Sequence, residues 1–172
     1  KIAIARTESI SIICGGTSGC IEPIPANVYT HKTLSGAFVV RNPPLASLLA
    51  EKGADTAETW QSIVEHEGSV QHLACLSEDE KATFRTAFEI DQRWVIDLAA
   101  DRAPFICQSQ SINLYLPADV DKWDLHMLHW SAWQRGIKSL YYCRSKSISR
   151  ADFAGKLDAR ETAVRQTART DY

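Results

Sequence analysis

The sequence lacks the features that would assign it to a membrane, secreted or nucleic-acid-binding class. No apolar run approaches the ~20 residues that a bilayer-spanning helix needs, and the N-terminus has no signal-peptide pattern. The 19 basic and 21 acidic residues nearly cancel, giving a formal net charge of -2. No strong field is therefore available to attract nucleic acid or an anionic membrane. These absences predict a cytoplasmic protein that binds no DNA, no RNA and no membrane.

Paired cysteines are also absent. The five cysteines are odd in number and widely spaced, and no two of them form a CxxC pair. Such spacing indicates neither a disulfide framework nor a zinc site, so free thiols are expected. The five are Cys14, Cys20, Cys75, Cys107 and Cys143.

What is present suffices for one packed domain, since the chain has 172 residues of which 45% are hydrophobic. The sequence shows no internal repeat, low-complexity tract or linker, and residues 1–172 are interpreted as a single segment. The chain begins at Lys1 and runs directly into apolar residues. This beginning suggests a segment of a longer protein.

Apolar periodicity and turn residues predict the elements of the first half of the chain. A strand at Lys1–Ala5 precedes a polar turn and a short helix, and a hairpin is expected around Ser35-Gly36. Helices are predicted over residues 45–52 and 56–67. A third helix begins at Ser77, with a capping box to Glu80, and runs towards Ala100.

The second half predicts two further strands, at residues 105–116 and 138–143, with a helix between them. Asp119 or Asp121 caps that helix, which stops near Gly136. From Ser149 to about Arg169 the sequence predicts a weak surface helix or a disordered tail. Strands that alternate with helices favour a parallel α/β arrangement.

The turn Thr7-Glu8-Ser9-Ile10-Ser11 is the first candidate site. A helix start presents unpaired backbone N–H groups and the positive end of its dipole, and neighbouring hydroxyls can add donors to a phosphate. The alternative is that Thr7 or Ser9 simply caps the helix, which is the usual role of a hydroxyl residue at this place.

Two further constellations are weaker. His126 and His129 share one face of the predicted helix, but no third ligand stands at a recognisable spacing, so no metal site is predicted. His31, His66 and His72 are isolated in the sequence.

The adjacent pair Tyr141-Tyr142 has two interpretations. In a regular strand, successive side chains point to opposite faces, so one ring would be in the core and the other outside. A functional pair would exchange an electron and a proton between its phenols. The two rings then have to meet, and the backbone has to leave strand geometry at this point.

Several ordered motifs together are more specific than any one of these features. They are TESIS, GTSGCIEP, NVYTHKTLSGAF, FEIDQRWVIDLAADRAPFICQSQSINLYL and KSLYYCRSKSISRAD. In this order they resemble the large (alpha) subunit family of class I ribonucleotide reductases. The resemblance covers almost the whole chain, from Ile2 to Tyr172.

The resemblance implies the C-terminal portion of a ten-stranded α/β barrel and a part in reducing ribonucleotides to deoxyribonucleotides. Thr7 to Ser11 then matches the loop that holds the substrate phosphates. Tyr141 and Tyr142 match the pair that relays a radical, with Tyr141 nearer the active-site cysteine and Tyr142 nearer the subunit interface. The implied partners are the N-terminal remainder of the large subunit, a ribonucleotide substrate and a small subunit that carries the radical-generating metal centre. No cofactor is expected in this chain.

The chain departs from the family pattern at two positions of the turn. Arg6 stands where Pro is common, and Glu8 where Ala is common. Proline fixes φ near -65° and lacks an N–H, so Arg6 changes what the turn can do. Its guanidinium offers a phosphate contact that the Glu8 carboxylate would oppose.

The parts that the family uses for chemistry on the substrate are expected to lie outside this chain, and none of the five cysteines matches a catalytic one. The chain alone is therefore not expected to turn over. Two alternatives remain open: a non-catalytic remnant or interaction module that keeps the fold segment, and an independent phosphate-ligand binding protein.

Overall fold

The structure is a computed structural model that describes residues 1–15, 18–33 and 36–145. The tail predicted over residues 149–169 lies outside the described residues, as does Ser35 of the predicted hairpin. Within the described ranges, no helix is both long and apolar enough to cross a membrane.

Three chain segments lie side by side in parallel and position the candidate site. β3 (Leu114–Leu116) pairs with β4 (Cys143–Ser145), and Ile4 forms a parallel bridge with Gln110. Ile4 bonds to Ser109 and Ser111, whereas Tyr141 and Tyr142 bond to Ile112 and Leu114. Alternate residues project their backbone groups to opposite edges, so the segment 109–114 lies between the other two. The predicted parallel α/β arrangement is confirmed.

Both predicted strands in this region are shorter than expected. A 3₁₀ turn, Ala103–Phe105, occupies the start of the predicted 105–116 strand because Pro104 favours a turn there. The regular part of the last strand begins only at Cys143, after the tyrosine pair.

A first hydrophobic cluster lies under the predicted hairpin. β1 (Val28–Thr33) and β2 (Gly36–Arg41) pair antiparallel, and α2 (Pro43–Glu51) and α3 (Ala57–Glu65) follow. The hairpin and both helices are confirmed. The cluster consists of Val28, Leu45, Leu49, Trp60, Ile63, Val70, Leu73 and Leu76.

The prediction of one long helix from Ser77 to Ala100 was wrong. The chain forms α4 (Glu78–Thr83), a 3₁₀ turn and then α5 (Gln92–Arg102). The Ser77–Glu80 capping box is present. A second box interrupts the helix, because the Glu89 carboxylate accepts from the Thr86 N–H at 2.7 Å and holds Thr86 in an extended conformation.

A second hydrophobic cluster joins the helices to the parallel segments. α6 (Lys122–Gln134) is capped by Asp121 rather than Asp119, with the Trp123 N–H donating to the Asp121 carboxylate at 2.7 Å. Gly136, with φ of 74°, follows its end as predicted. α5 and α6 pack on β3 through Ile96, Leu114, Leu116, Leu128 and Ala132.

Gly68 is a position where an added methyl group would be costly. Its φ is +85°, and a Cβ there would lie 2.8 Å from the Ala26 Cα and 3.0 Å from the Asn27 N. We expect Gly68→Ala to lower the free energy of unfolding by about 3 kcal/mol, combining left-handed strain with overpacking. Gly53→Ala is the matched control, since φ is +67° but nothing lies within 4 Å.

The control carries the backbone strain alone and is expected to cost about 1 kcal/mol. Urea unfolding followed by tryptophan fluorescence measures both variants. Equal losses of stability in the two would show that the close approach of Ala26 is unimportant.

Candidate functional site

The predicted phosphate turn is tied to the loop that follows α1 (Glu8–Ile13). The Thr7 N–H and hydroxyl donate to the Gly19 carbonyl at 3.1 and 3.3 Å. The Ser11 hydroxyl donates to the Ser18 carbonyl at 2.6 Å. These two hydroxyls therefore fix the shape of the turn, while the exposed Ile10 faces outward. The structure does not describe the Glu8 side chain.

A buried carboxylate connects that loop to the parallel segments. Glu22 is 3% exposed and accepts from the Asn113 backbone N–H and, at 3.3 Å, from the Asn113 Nδ2. The Ser18 hydroxyl donates to the Glu22 carbonyl at 2.5 Å. Burial is the main cause that raises the pKa of the Cys20 thiol, and the negative charge of the neighbouring Glu22 carboxylate raises this pKa further. The loop is thus held to the sheet segment that also pairs with the tyrosines.

The sequence interpretation missed the pairing of Glu22 with Asn113, although both residues lie in the quoted motifs. A buried Glu needs a hydrogen-bonding partner. The IEP motif was the available signal, but nothing in the sequence identified Asn113 as that partner.

Tyr141 and Tyr142 lie together immediately before β4. The Tyr141 N–H donates to the Ile112 carbonyl at 2.8 Å, and the Leu114 N–H donates to the Tyr142 carbonyl at 2.9 Å. The ring centroids are only 4.2 Å apart, with planes inclined at 50°. Adjacent residues of a regular strand would place their rings on opposite faces. The regular alternation is therefore lost here, and both rings remain about half exposed.

Lys138 fixes the start of this segment. Its ammonium donates to the carbonyls of Ile106 and Cys107 at 3.3 and 2.7 Å, and to that of Gln108 at 3.3 Å. These three bonds attach Lys138 to the start of the neighbouring segment. They therefore fix the chain that leads to the tyrosine pair.

The two phenols interact directly. A hydrogen bond with Tyr142, and then the charge that Tyr142 would carry, raise the pKa of Tyr141, while Arg6 opposes this rise by its charge and by a hydrogen bond. The ionisation of Tyr141 therefore depends on its neighbour Tyr142.

Two guanidinium groups accompany the Tyr142 ring. The Arg6 Cζ lies 5.4 Å from its centroid and the Arg144 Cζ lies 5.3 Å from it, within the range of a cation–π interaction. Since Arg6 directly precedes Thr7, the structure brings the predicted phosphate turn and the tyrosine pair into one site. The sequence predicted each of these features but not their contact.

The histidines lie against other aromatic rings. His126 lies between Trp123 and Trp130, with ring centroids 5.5 and 6.4 Å away. The described residues contain no cluster of three or more metal-binding side chains. His66 and His72, which are separated in the sequence, stack with ring centroids 3.6 Å apart. The turn after α3 folds back and brings them together.

The chain is similar to known proteins over most of its length. Residues 1–143 match the family model described as ribonucleotide reductase, barrel domain. The chain is 50% identical over 155 residues to the ribonucleoside-diphosphate reductase large subunit of Invertebrate iridescent virus 6, covering 88% of this chain and 16% of that protein. It is 41% identical over 144 residues to a putative large subunit of Frog virus 3, covering 84% and 25% respectively.

A solved structure is also similar. The alpha subunit of the Actinobacillus ureae class Id ribonucleotide reductase matches with a TM-score of 0.75 and 42% identity, covering 87% of this chain and 27% of that one. The chain thus spans about a quarter or less of the length of these relatives. It belongs to the ribonucleotide reductase family and is a segment of the α/β barrel domain of the large subunit.

Proposed function

We propose that this chain supplies the substrate-phosphate turn and a tyrosine radical relay to a large subunit that reduces ribonucleotides to deoxyribonucleotides. The observation that carries the proposal is the contact between the Tyr141 and Tyr142 rings, 4.2 Å apart, in a site that also contains the turn at Thr7. Membership of the reductase family supplies the reaction class.

The relay step needs no group beyond the two phenols. A Tyr142 phenoxyl radical takes the proton of the Tyr141 hydroxyl and one electron from the Tyr141 ring, which leaves Tyr142 as a phenol and Tyr141 as the radical. One O–H bond breaks and one forms, and the net charge does not change. The close contact of the two rings, with centroids 4.2 Å apart, supports transfer between these phenols.

The phosphate turn combines backbone and side-chain features. The first turn of a helix carries N–H groups without intrahelical partners, which favour an anion. The bonds from Thr7 and Ser11 to the following loop hold that turn in shape. Thr7, Glu8, Ser9, Ile10 and Ser11 are proposed to form this turn. The backbone N–H groups of Glu8, Ser9 and Ile10 are its proposed donors, since Thr7 and Ser11 already donate both their N–H and their hydroxyl to backbone carbonyls.

Further partners are proposed because the described residues do not form a closed barrel. Within residues 1–15, 18–33 and 36–145, the three parallel segments do not close into a barrel. α6 also exposes large aromatic side chains, with Trp123 at 66% and Trp133 at 67%. We propose that the N-terminal remainder of the large subunit closes the barrel, and that a small subunit with a radical-generating metal centre supplies the radical to Tyr142.

The test is reconstitution. The large subunit that carries this chain is combined with a family small subunit, a ribonucleoside diphosphate and a dithiol reductant, and deoxyribonucleotide is measured. We expect product that depends on both subunits. If a correctly folded assembly with a radical-bearing small subunit forms no product, the chain is a non-catalytic module that keeps the fold segment alone.

A further inference from the structure

His66 and His72 form a stacked pair beside the end of α3. Their ring centroids lie 3.6 Å apart, and the ring planes are inclined at only 12°. Both rings are also attached to Ser62. The His66 Nδ1–H donates to the Ser62 carbonyl at 2.8 Å, and the His72 Nε2 lies 2.8 Å from the Ser62 hydroxyl oxygen. Separating the two rings therefore requires at least one of these bonds to break.

The turn between the two histidines is attached to the buried start of the hairpin. The Gly68 carbonyl accepts from the Asn27 backbone N–H at 3.1 Å and from the Asn27 Nδ2 at 3.0 Å. Asn27 is 1% exposed, and its Oδ1 accepts from the Asn42 Nδ2 at 2.8 Å. Glu67 has a φ of 57°, which is a strained conformation for a residue with a side chain. The contacts of the turn have to hold this strained conformation in place.

We propose that the His66–His72 stack is a pH-sensitive switch, which keeps this turn closed while at least one imidazole is neutral and opens it when both are protonated. Two imidazolium rings in face-to-face contact repel each other. A first proton on His66 is tolerated, because the bond from its Nδ1–H to Ser62 is kept. The second proton, on His72, opens the turn and leaves the two Asn27 donors without their shared acceptor.

The charged side chains of the surrounding segments have partners of their own. They are Glu65, which accepts from Gln61, Lys81, which pairs with Glu78, and Glu89, which accepts from Ser69 and Thr86. Glu67 is exposed and is not among the groups that shift the pKa of His72. The charge that acts on the His72 ring is therefore that of His66.

The direction of the pH dependence follows from the pKa of His72. Burial is the main cause that lowers this pKa, and the charge of His66 lowers it further. The closed turn thus favours neutral His72. Its full stability is present above the ordinary histidine pKa of about 6.5, and it is lost as the pH falls through the lowered pKa of the folded state.

The experiment measures hydrogen exchange in the large subunit that carries this chain, at about pH 7.5 and about pH 5.5, with correction for the intrinsic effect of pH on exchange. Peptides that contain Asn27 and residues 66–73 report on the turn, and a peptide from α5 reports on the rest of the fold. We expect protection in the first two to fall about fivefold at the lower pH, the factor for two like unit charges about 4 Å apart in water. Protection in α5 is expected to stay unchanged.

Three variants identify the groups responsible. His66→Phe and His72→Phe each keep an aromatic ring in the stack but remove one of its two titrating groups. Both are therefore expected to abolish the loss of protection in acid. His126→Phe is the matched control, because His126 also lies between two aromatic rings, but these belong to Trp123 and Trp130, which do not titrate. It is expected to keep the full pH dependence.

Three results would overturn the inference. They are equal protection of the turn at both pH values, a loss that persists in His66→Phe and His72→Phe, and a parallel loss in α5, which would mean that acid destabilises the whole fold. If one Phe variant does not fold, the other decides alone, since either removes one charge of the pair. None of these measurements needs turnover, so their outcome is independent of the proposed relay.

Discussion

Replacing either Tyr141 or Tyr142 by Phe is expected to reduce deoxyribonucleotide formation by the reconstituted enzyme to background. Phe retains the ring and its packing but has no hydroxyl, so neither variant can pass a hydrogen across the pair. The large effect follows because the two phenols act in series, and the loss of either one interrupts the path.

The same substitution elsewhere provides the control. Tyr29 lies in β1 and is 40% exposed, close to the 49% and 45% of Tyr141 and Tyr142. Tyr29→Phe is expected to keep normal turnover. All three variants should unfold at nearly the wild-type denaturant concentration, since each removes one partly exposed hydroxyl.

Radical spectroscopy sharpens this comparison. Tyr142→Phe blocks entry of the radical into the pair, whereas Tyr141→Phe leaves Tyr142 able to be oxidised. A tyrosyl radical at Tyr142 in the Tyr141→Phe enzyme would support the proposed order. Normal activity in both Phe variants would exclude the pair from the path.

Glu22→Ala is expected to have the largest effect on folding. The substitution removes the acceptor of two buried Asn113 donors, the backbone N–H and the Nδ2. An unsatisfied buried donor costs about 1–3 kcal/mol, so the free energy of unfolding should fall by about 3 kcal/mol or more. The loop from Ser18 to Glu22 also loses its attachment to the parallel segments, which should loosen the turn at Thr7.

Two measurements check this prediction against Glu51→Ala, which removes an exposed carboxylate at the end of α2. Urea unfolding gives the stability difference, and hydrogen exchange of the Asn113 amide reports the lost acceptor directly. We expect faster exchange at Asn113 in Glu22→Ala alone. Unchanged exchange there would show that the carboxylate is not the acceptor that protects this amide.

The local elements were predictable from sequence where one short stretch contained the whole signal. The Ser77–Glu80 capping box, the hairpin and the stop at Gly136 each depend on residues within a few positions of one another. The prediction of one long helix after Ser77 was wrong because the apolar spacing typical of a helix continued past Thr86. The competing signal was the local bond from the Thr86 N–H to Glu89, which ended helical geometry at that point.

For the candidate site, too, the sequence determined some features and the tertiary structure determined others. By itself the sequence determined the family, through its ordered motifs, and the positions of the turn and of Tyr141 and Tyr142. Only the tertiary structure decided that Glu22 reaches Asn113, that His66 stacks on His72 and that Arg6 lies against the tyrosine pair. These contacts join segments that hydrogen bonding and close packing bring together only after the chain has folded. Local patterns constrain φ and ψ within a few residues, whereas partners across the fold depend on how whole elements pack.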